Sequence, residues 1–109
     1  MGITKTSLYT DEQNHLATMI KAMGHPARIA ILQHLLKADE CINSDLVQEL
    51  GLAQATVSQH LKALKEVEII QGSVEGTSMC YCINPNTWDS LKDTINAFFQ
   101  QLPNSCKSC

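Results

Sequence analysis

Gly51-Leu-Ala-Gln-Ala-Thr-Val-Ser-Gln-His-Leu-Lys-Ala-Leu-Lys65 is the stretch whose reading decides the fold. Val57, Leu61 and Leu64 fall at i, i+4 and i+7, which makes one apolar stripe of a short helix. Gln54, Thr56, Ser58, Gln59 and Lys62 mostly lie off that stripe, and no carboxylate appears before Glu66. A surface of amides, hydroxyls and lysine suits a helix that meets base edges and phosphates. On this pattern alone an ordinary amphipathic surface helix fits equally well. The flanking sequence separates the two readings.

Immediately upstream, Leu46, Val47 and Leu50 predict a helix of barely two turns, with Ser44 at its N-cap and Gly51 as the tight turn behind it. Helix, glycine turn, helix is the helix-turn-helix arrangement, whose second member enters a major groove. Farther upstream, Thr10 caps a first helix carrying Leu16, Met19, Ile20 and Met23, and Gly24 ends it. Pro26 opens a second helix with the stripe Ile29, Leu32 and Leu36, and with Ile31 and Leu35 alongside. Apolar on more than one side, this helix is expected at the centre. Lys37 to Asn43 is polar and breaks the pattern.

Downstream the pattern turns extended. Ile69 and Ile70 lead into a turn-rich run from Gly72 to Thr77, followed by Met79, Cys80, Tyr81, Cys82 and Ile83. Two short strands around a glycine-flanked loop read as a β-hairpin, in the position of a wing. Asn84 and Pro85 then start a last helix to about Gln101, with Trp88, Leu91, Ile95, Phe98 and Leu102 in a stripe and Phe99 beside it; Pro103 stops it. The expected organisation is an N-terminal arm over 1–9, a winged helix-turn-helix domain over 10–102, and a cysteine-containing tail over 103–109. The fold class is mainly α with a small β-hairpin. The first and last helices offer more apolar surface than one small chain covers, which predicts a homodimer through them.

Composition bounds the function. At 109 residues the chain holds one modest core, and 44% hydrophobic with 17% charged residues fits a soluble globular protein. No apolar run reaches the length of a membrane span, and no secretory pattern opens the chain, so the expected location is cytoplasmic, without a membrane partner. The five cysteines are then thiols, suited to ligand or redox roles rather than to a disulfide framework. A net charge of −3 counts mildly against nucleic acid, although Lys62 and Lys65 sit together on the decisive stretch. No nucleophile, base and orienting group form a recognisable set, so an enzyme is not expected.

The run Gly24-His-Pro-Ala-Arg-Ile-Ala-Ile-Leu-Gln-His-Leu35, then Asp45-Leu-Val-Gln-Glu-Leu-Gly-Leu52, Thr56-Val-Ser-Gln-His-Leu-Lys-Ala-Leu64 and the wing ending Ile83-Asn-Pro85 resemble the ArsR/SmtB family over residues 10–102. The resemblance implies a dimeric winged-helix repressor that binds double-stranded operator DNA when ligand-free. It also implies an inducer, often a metal or metalloid ion held by cysteines, that releases it. By position, Gln54, Thr56, Ser58, Gln59 and Lys62 are the implied operator contacts, with Gln54 or Gln59 able to pair with adenine and the hydroxyls and Lys62 placed to hold phosphates. His60 reads as a packing or phosphate partner rather than a metal ligand, and Arg28, the only arginine, as a structural or phosphate partner. Two departures stand out. Ala53 occupies the place of a capping serine, and the wing from Gln71 to Thr77 carries Glu75 and no Lys or Arg.

Some relatives hold metal through a Cys-Val-Cys-Asp run at the third helix. Here the run is Glu40-Cys-Ile-Asn-Ser-Asp45, the cysteine pair is absent, and that site is not transferred. Nor does the last helix contain histidine to join Asp89 and Asp93 in a zinc site. What the chain has instead is Cys80-Tyr-Cys82 and Cys106-Lys-Ser-Cys109. Residues two apart on a strand share a face, and Cys-x-x-Cys lets two thiolates share a metal or form a disulfide. Four sulfurs without imidazole favour a soft ion: As(III) above all, with Cd(II), Pb(II), Cu(I) or Zn(II) also fitting. For Cys80 and Cys82, packing behind the wing competes with this reading. A last helix of about 17 residues carries the chain roughly 25 Å from Cys82. The tail spans at most about 26 to 29 Å, so a site between subunits is as open as one within a chain. Two other functions stand beside a metalloid-released repressor: the same repressor answering to thiol oxidation, with a disulfide or persulfide as the signal, and a metal-binding or interaction domain that does not bind DNA.

Overall fold

The computed structural model describes residues 6–37, 42–43, 46–75 and 78–103. Cys41, the Ser44 cap, the turn residues Gly76 and Thr77, and Cys106 and Cys109 lie outside the described residues. A 3-10 turn, Thr6–Leu8, precedes α1 (Asp11–Met23) and α2 (Pro26–Lys37). Then come β1 (Ile42–Asn43), α3 (Leu46–Leu50), α4 (Gln54–Glu66), β2 (Ile70–Glu75), β3 (Ser78–Ile83) and α5 (Pro85–Phe99). The architecture is a winged helix: a mainly helical body with a small antiparallel hairpin, as the sequence predicts.

The helix ends follow local chemistry. Thr10 accepts from the Gln13 amide at 3.0 Å while the Gln13 side chain accepts from the Thr10 amide at 2.9 Å, a reciprocal cap that starts α1. Asn84 caps α5 and Pro85 occupies its first turn, where a missing N–H does no harm. α4 is preceded by Ala53, which has the extended cap backbone but no side-chain oxygen to accept a cap bond. Its other end is a Schellman turn: the Ile69 amide donates to Leu64 O at 3.1 Å and the Glu68 amide to Lys65 O at 2.9 Å. That motif needs a left-handed residue, and Glu68 supplies it at φ 63. Leu64 and Ile69, both fully buried, make the apolar contact that accompanies such a turn. α4 is thus joined to β2 through a left-handed backbone conformation that a residue with a Cβ adopts only at a free-energy cost.

The core draws Met19 and Ala22 from α1, Ile31, Leu32 and Leu35 from α2, and Val57, Leu61 and Leu64 from α4. Ile69, Ile70, Tyr81 and Leu91 complete it from the sheet and α5. Each fully buried aliphatic side chain of this kind stabilises the fold by about 1.5–3 kcal/mol relative to exposure. On α4 the buried stripe is the one predicted. On α2 it is not: Ile29 and Leu36 are exposed, and the inward edge is Ile31, Leu32 and Leu35. The helix has apolar residues all round, so tertiary packing, not the pattern, selects which of them turn inward. Likewise Ile20 of α1 and Phe98, Phe99 and Leu102 at the end of α5 face outward.

The sheet has three strands in the order β1-β3-β2, all antiparallel. β1 lies in the run read as a polar break; a strand of two residues is too short to show alternation. β2 continues through the stretch read as loop, since Gly72 pairs with Tyr81 and Glu75 with Ser78. Gly72 is required by close approach: a Cβ there meets the Cys80 carbonyl oxygen and the Tyr81 ring. The tyrosine lies across the glycine and closes the core from the sheet side.

Candidate nucleic-acid interface

α3 and α4 are joined at Gly51, whose φ of +66 is a left-handed backbone that glycine adopts freely. α4 buries Val57, Leu61 and Leu64, which fixes its rotation and so decides what faces outward. At about 100° per residue, Gln54, Ser58 and Lys62 step round one face with Lys65 among them and Gln59 at its edge. Gln54, Gln59, Lys62 and Lys65 are exposed and Ser58 half-buried. The Gln54 side-chain amide donates to the Ser58 hydroxyl at 3.2 Å, so the first two members of the row are already tied together. Thr56 does not join them. It is half-buried on the other flank, about 160° round from Ser58.

That other flank carries a cluster the sequence did not group. Arg28 Nε donates to His60 Nδ1 at 3.0 Å, and Arg28 Nη1 donates to the Ala22 carbonyl at 2.9 Å. One guanidinium therefore ties the last turn of α1, the first turn of α2 and the middle of α4. His25 packs its ring against His60 with centroids 4.6 Å apart, while its own Nδ1 accepts from the Ala27 amide at 3.0 Å. Desolvation, then the neighbouring His25 and Arg28 charges, hold the His60 pKa below the usual histidine value. The signal available in sequence was only that Arg28 and His60 are polar residues on otherwise apolar helix flanks, 32 positions apart.

On β3, Cys80 and Cys82 are half-exposed and flank the buried Tyr81, so both thiols stand on the face away from the core. β3 is the middle strand, and register sets Ser73 and Asn43 beside Cys80 and Gln71 beside Cys82. The Gln71 side-chain amide lies 3.7 Å from the Cys82 sulfur as a donor. Residues two apart on a strand are about 6.7 Å apart, whereas a disulfide needs Cβ atoms about 3.5–4.5 Å apart. Two sulfurs leaning over one ion fit this spacing; a disulfide between the same two residues does not. Among the described residues no three His, Cys, Asp or Glu side chains gather into a metal site. A third sulfur for a Cys80–Cys82 ion has to come from elsewhere. Among the described residues, no helix is long and apolar enough to cross a membrane.

A helix-turn-helix, a wing and an outward row of polar side chains define a class of DNA-recognition fold, and comparison with known proteins narrows it. Residues 25–71 match the family described as bacterial regulatory protein, arsR family. The transcriptional repressor SdpR of Bacillus subtilis is 31% identical over 78 residues, which is 72% of this chain and 82% of SdpR. The arsenical resistance operon repressor of Staphylococcus xylosus is 28% identical over 81 residues, 74% of this chain and 77% of that protein. The uncharacterised regulator Rv0081 of Mycobacterium tuberculosis is 33% identical over 67 residues, 62% of this chain but only 59% of Rv0081. The Rv0081 crystal structure superposes with a TM-score of 0.63 at 26% identity, covering 84% of this chain and 93% of that one. The chain belongs to the ArsR/SmtB family of winged-helix transcriptional regulators, which are not enzymes.

Proposed function

We propose that this chain acts as a homodimeric repressor that grips operator DNA through α4 and is released by a thiophilic ion at its cysteines. The observation that carries the reading is the outward row of Gln54, Ser58, Gln59 and Lys62 on the second helix of a helix-turn-helix. Gln54 and Gln59 offer paired amide donors and acceptors to base edges, Lys62 and the Ser58 hydroxyl offer charge and a hydrogen bond to phosphates, and Thr56 on the opposite flank would meet a phosphate only on the other side of the groove. With no basic side chain on the wing from Gln71 to Thr77, affinity rests on two copies of α4 acting together. The dimer reading draws on exposed apolar side chains where α1 packs on α5: Ile20, Phe98, Phe99 and Leu102, together with Leu8 and Tyr9 ahead of α1.

For the inducer, Cys80 and Cys82 supply two soft donors on the middle strand of the wing, and Cys106 or Cys109 of the same or the partner chain supplies the third. This donor set favours As(III), with Cd(II), Pb(II) and Zn(II) behind it. The name of the Staphylococcus xylosus relative supports an arsenical. The spacing within the strand disfavours a disulfide between these two residues, because their sulfurs cannot close a bond with each other while β3 stays paired. The test is a titration of the reduced chain with arsenite and with Cd(II), followed by thiolate-to-metal absorption. Cys80→Ser and Cys82→Ser should each abolish stoichiometric binding, and at least one of Cys106→Ser and Cys109→Ser should weaken it. If all four variants titrate like the parent, the sensor lies elsewhere.

A further inference from the structure

We propose that Arg28 is a positioning residue for the recognition helix, and that it holds α4 only while His60 is unprotonated at Nδ1, so that operator binding weakens on mild acidification. The proposal rests on the reading of α4 as the DNA-contacting helix. Arg28 is the one side chain seen to tie α4 by hydrogen bond to the α1–α2 corner among the described residues, through His60 on one side and the Ala22 carbonyl on the other. A guanidinium only donates, so the bond at 3.0 Å makes His60 Nδ1 an acceptor and puts the imidazole proton on Nε2. Protonation turns that acceptor into a second donor facing the first and adds a like charge beside it. The charged and titratable groups that face His60 among the described residues are Arg28 and His25, and neither offers a carboxylate to offset the new charge.

The sign follows from these partners. His60 resists protonation in the folded chain, so the tie persists at and somewhat below the ordinary histidine value of about 6.5 and is lost only as acidification carries pH through His60's own, lower value. Simple electrostatics points the other way, since a histidine that gains positive charge near DNA attracts phosphate. The direction of the pH profile therefore separates a positioning role from a direct phosphate contact.

The experiment uses the reduced full chain and a fluorescein-labelled duplex that it selects from a random library at about pH 7.5. Its Kd is then measured at about pH 7.5 and about pH 5.5 for the parent and for His60→Asn, whose side-chain oxygen can stand in for Nδ1 but cannot take a proton. The parent should lose affinity at the lower pH relative to His60→Asn, by less than about 10-fold per site because His60 takes up its proton below the ordinary histidine value. A parent that binds as tightly at the lower pH, or a variant with the same profile, overturns the proposal. Nitrogen-15 spectra of the imidazoles give a readout that needs no DNA. His60 should be the Nε2–H tautomer in the parent and hold that preference more weakly in Arg28→Met, which cannot donate, and an Nδ1–H tautomer in the parent overturns the tie itself. If no duplex is selected, the DNA reading fails and takes the regulatory consequence with it, while the tautomer result still decides whether the tie exists.

Discussion

Replacing Glu68 by glycine should stabilise the protein, although no contact is improved. Glu68 sits at φ 63 in the turn that carries the chain from α4 into the wing, with both Schellman hydrogen bonds formed around it. A residue with a Cβ gives up about 1–2 kcal/mol in this conformation. Glycine avoids that penalty but loses more backbone freedom on folding, by about 0.4–1 kcal/mol. The difference leaves a net gain of about 0.5–1 kcal/mol, or a few degrees in Tm for a domain of this size. Glu68 is exposed, so no packing is lost. Urea unfolding followed by circular dichroism reads the change, with an unchanged m-value. Glu68→Ala is the decisive control, since alanine removes the charge and keeps the Cβ; it should leave stability within about 0.5 kcal/mol of the parent. A gain in Glu68→Ala equal to that in Glu68→Gly would refute the conformational reasoning and assign the effect to charge.

The two ends of the helical body predict opposite results from one chemistry. Thr10→Ala removes a formed cap from α1 and should destabilise by about 1 kcal/mol, whereas Ala53→Ser adds a hydroxyl where the extended cap backbone already exists and should stabilise by a similar amount. Thermal unfolding of the two variants checks both signs. Lys62→Ala should weaken binding of the selected duplex evenly across sequence variants and reduce the salt slope by about 1 per recognition helix, as a lost phosphate contact does; a change in sequence preference instead would make Lys62 a base reader.

Local rules were enough for most of the fold and for the face of α4. The Thr10 and Asn84 caps, the left-handed Gly51 and the buried Val57, Leu61 and Leu64 each depend on residues a few positions apart, and each stands as the sequence reading has it. What sequence could not show depends on distant partners. Ile29 and Leu36 fit the periodicity of α2 as well as Ile31 and Leu35 do, and only the packing of α4 and the sheet decides which pair is buried. β1 exists because β3 has an open edge beside it, and the clamp of Arg28 on His60 joins helices 32 residues apart. Glu68 shows the reverse case: a local rule would ask for glycine, and the buried contact of Leu64 with Ile69 holds the turn without it. For the cysteines, strand alternation alone put Cys80 and Cys82 on one face, and the structure adds that this face lies on the middle strand with Gln71 against Cys82.

The central claim, that a soft ion at the cysteines releases α4 from DNA, is tested most directly by the anisotropy of the labelled duplex bound to reduced protein under anaerobic conditions, before and after arsenite. The account predicts that arsenite releases the duplex from the parent, that Cys80→Ser and Cys82→Ser hold it unchanged, and that thiol reductant in excess of the ion restores binding. Release by an oxidant alone, with arsenite inert, would contradict it.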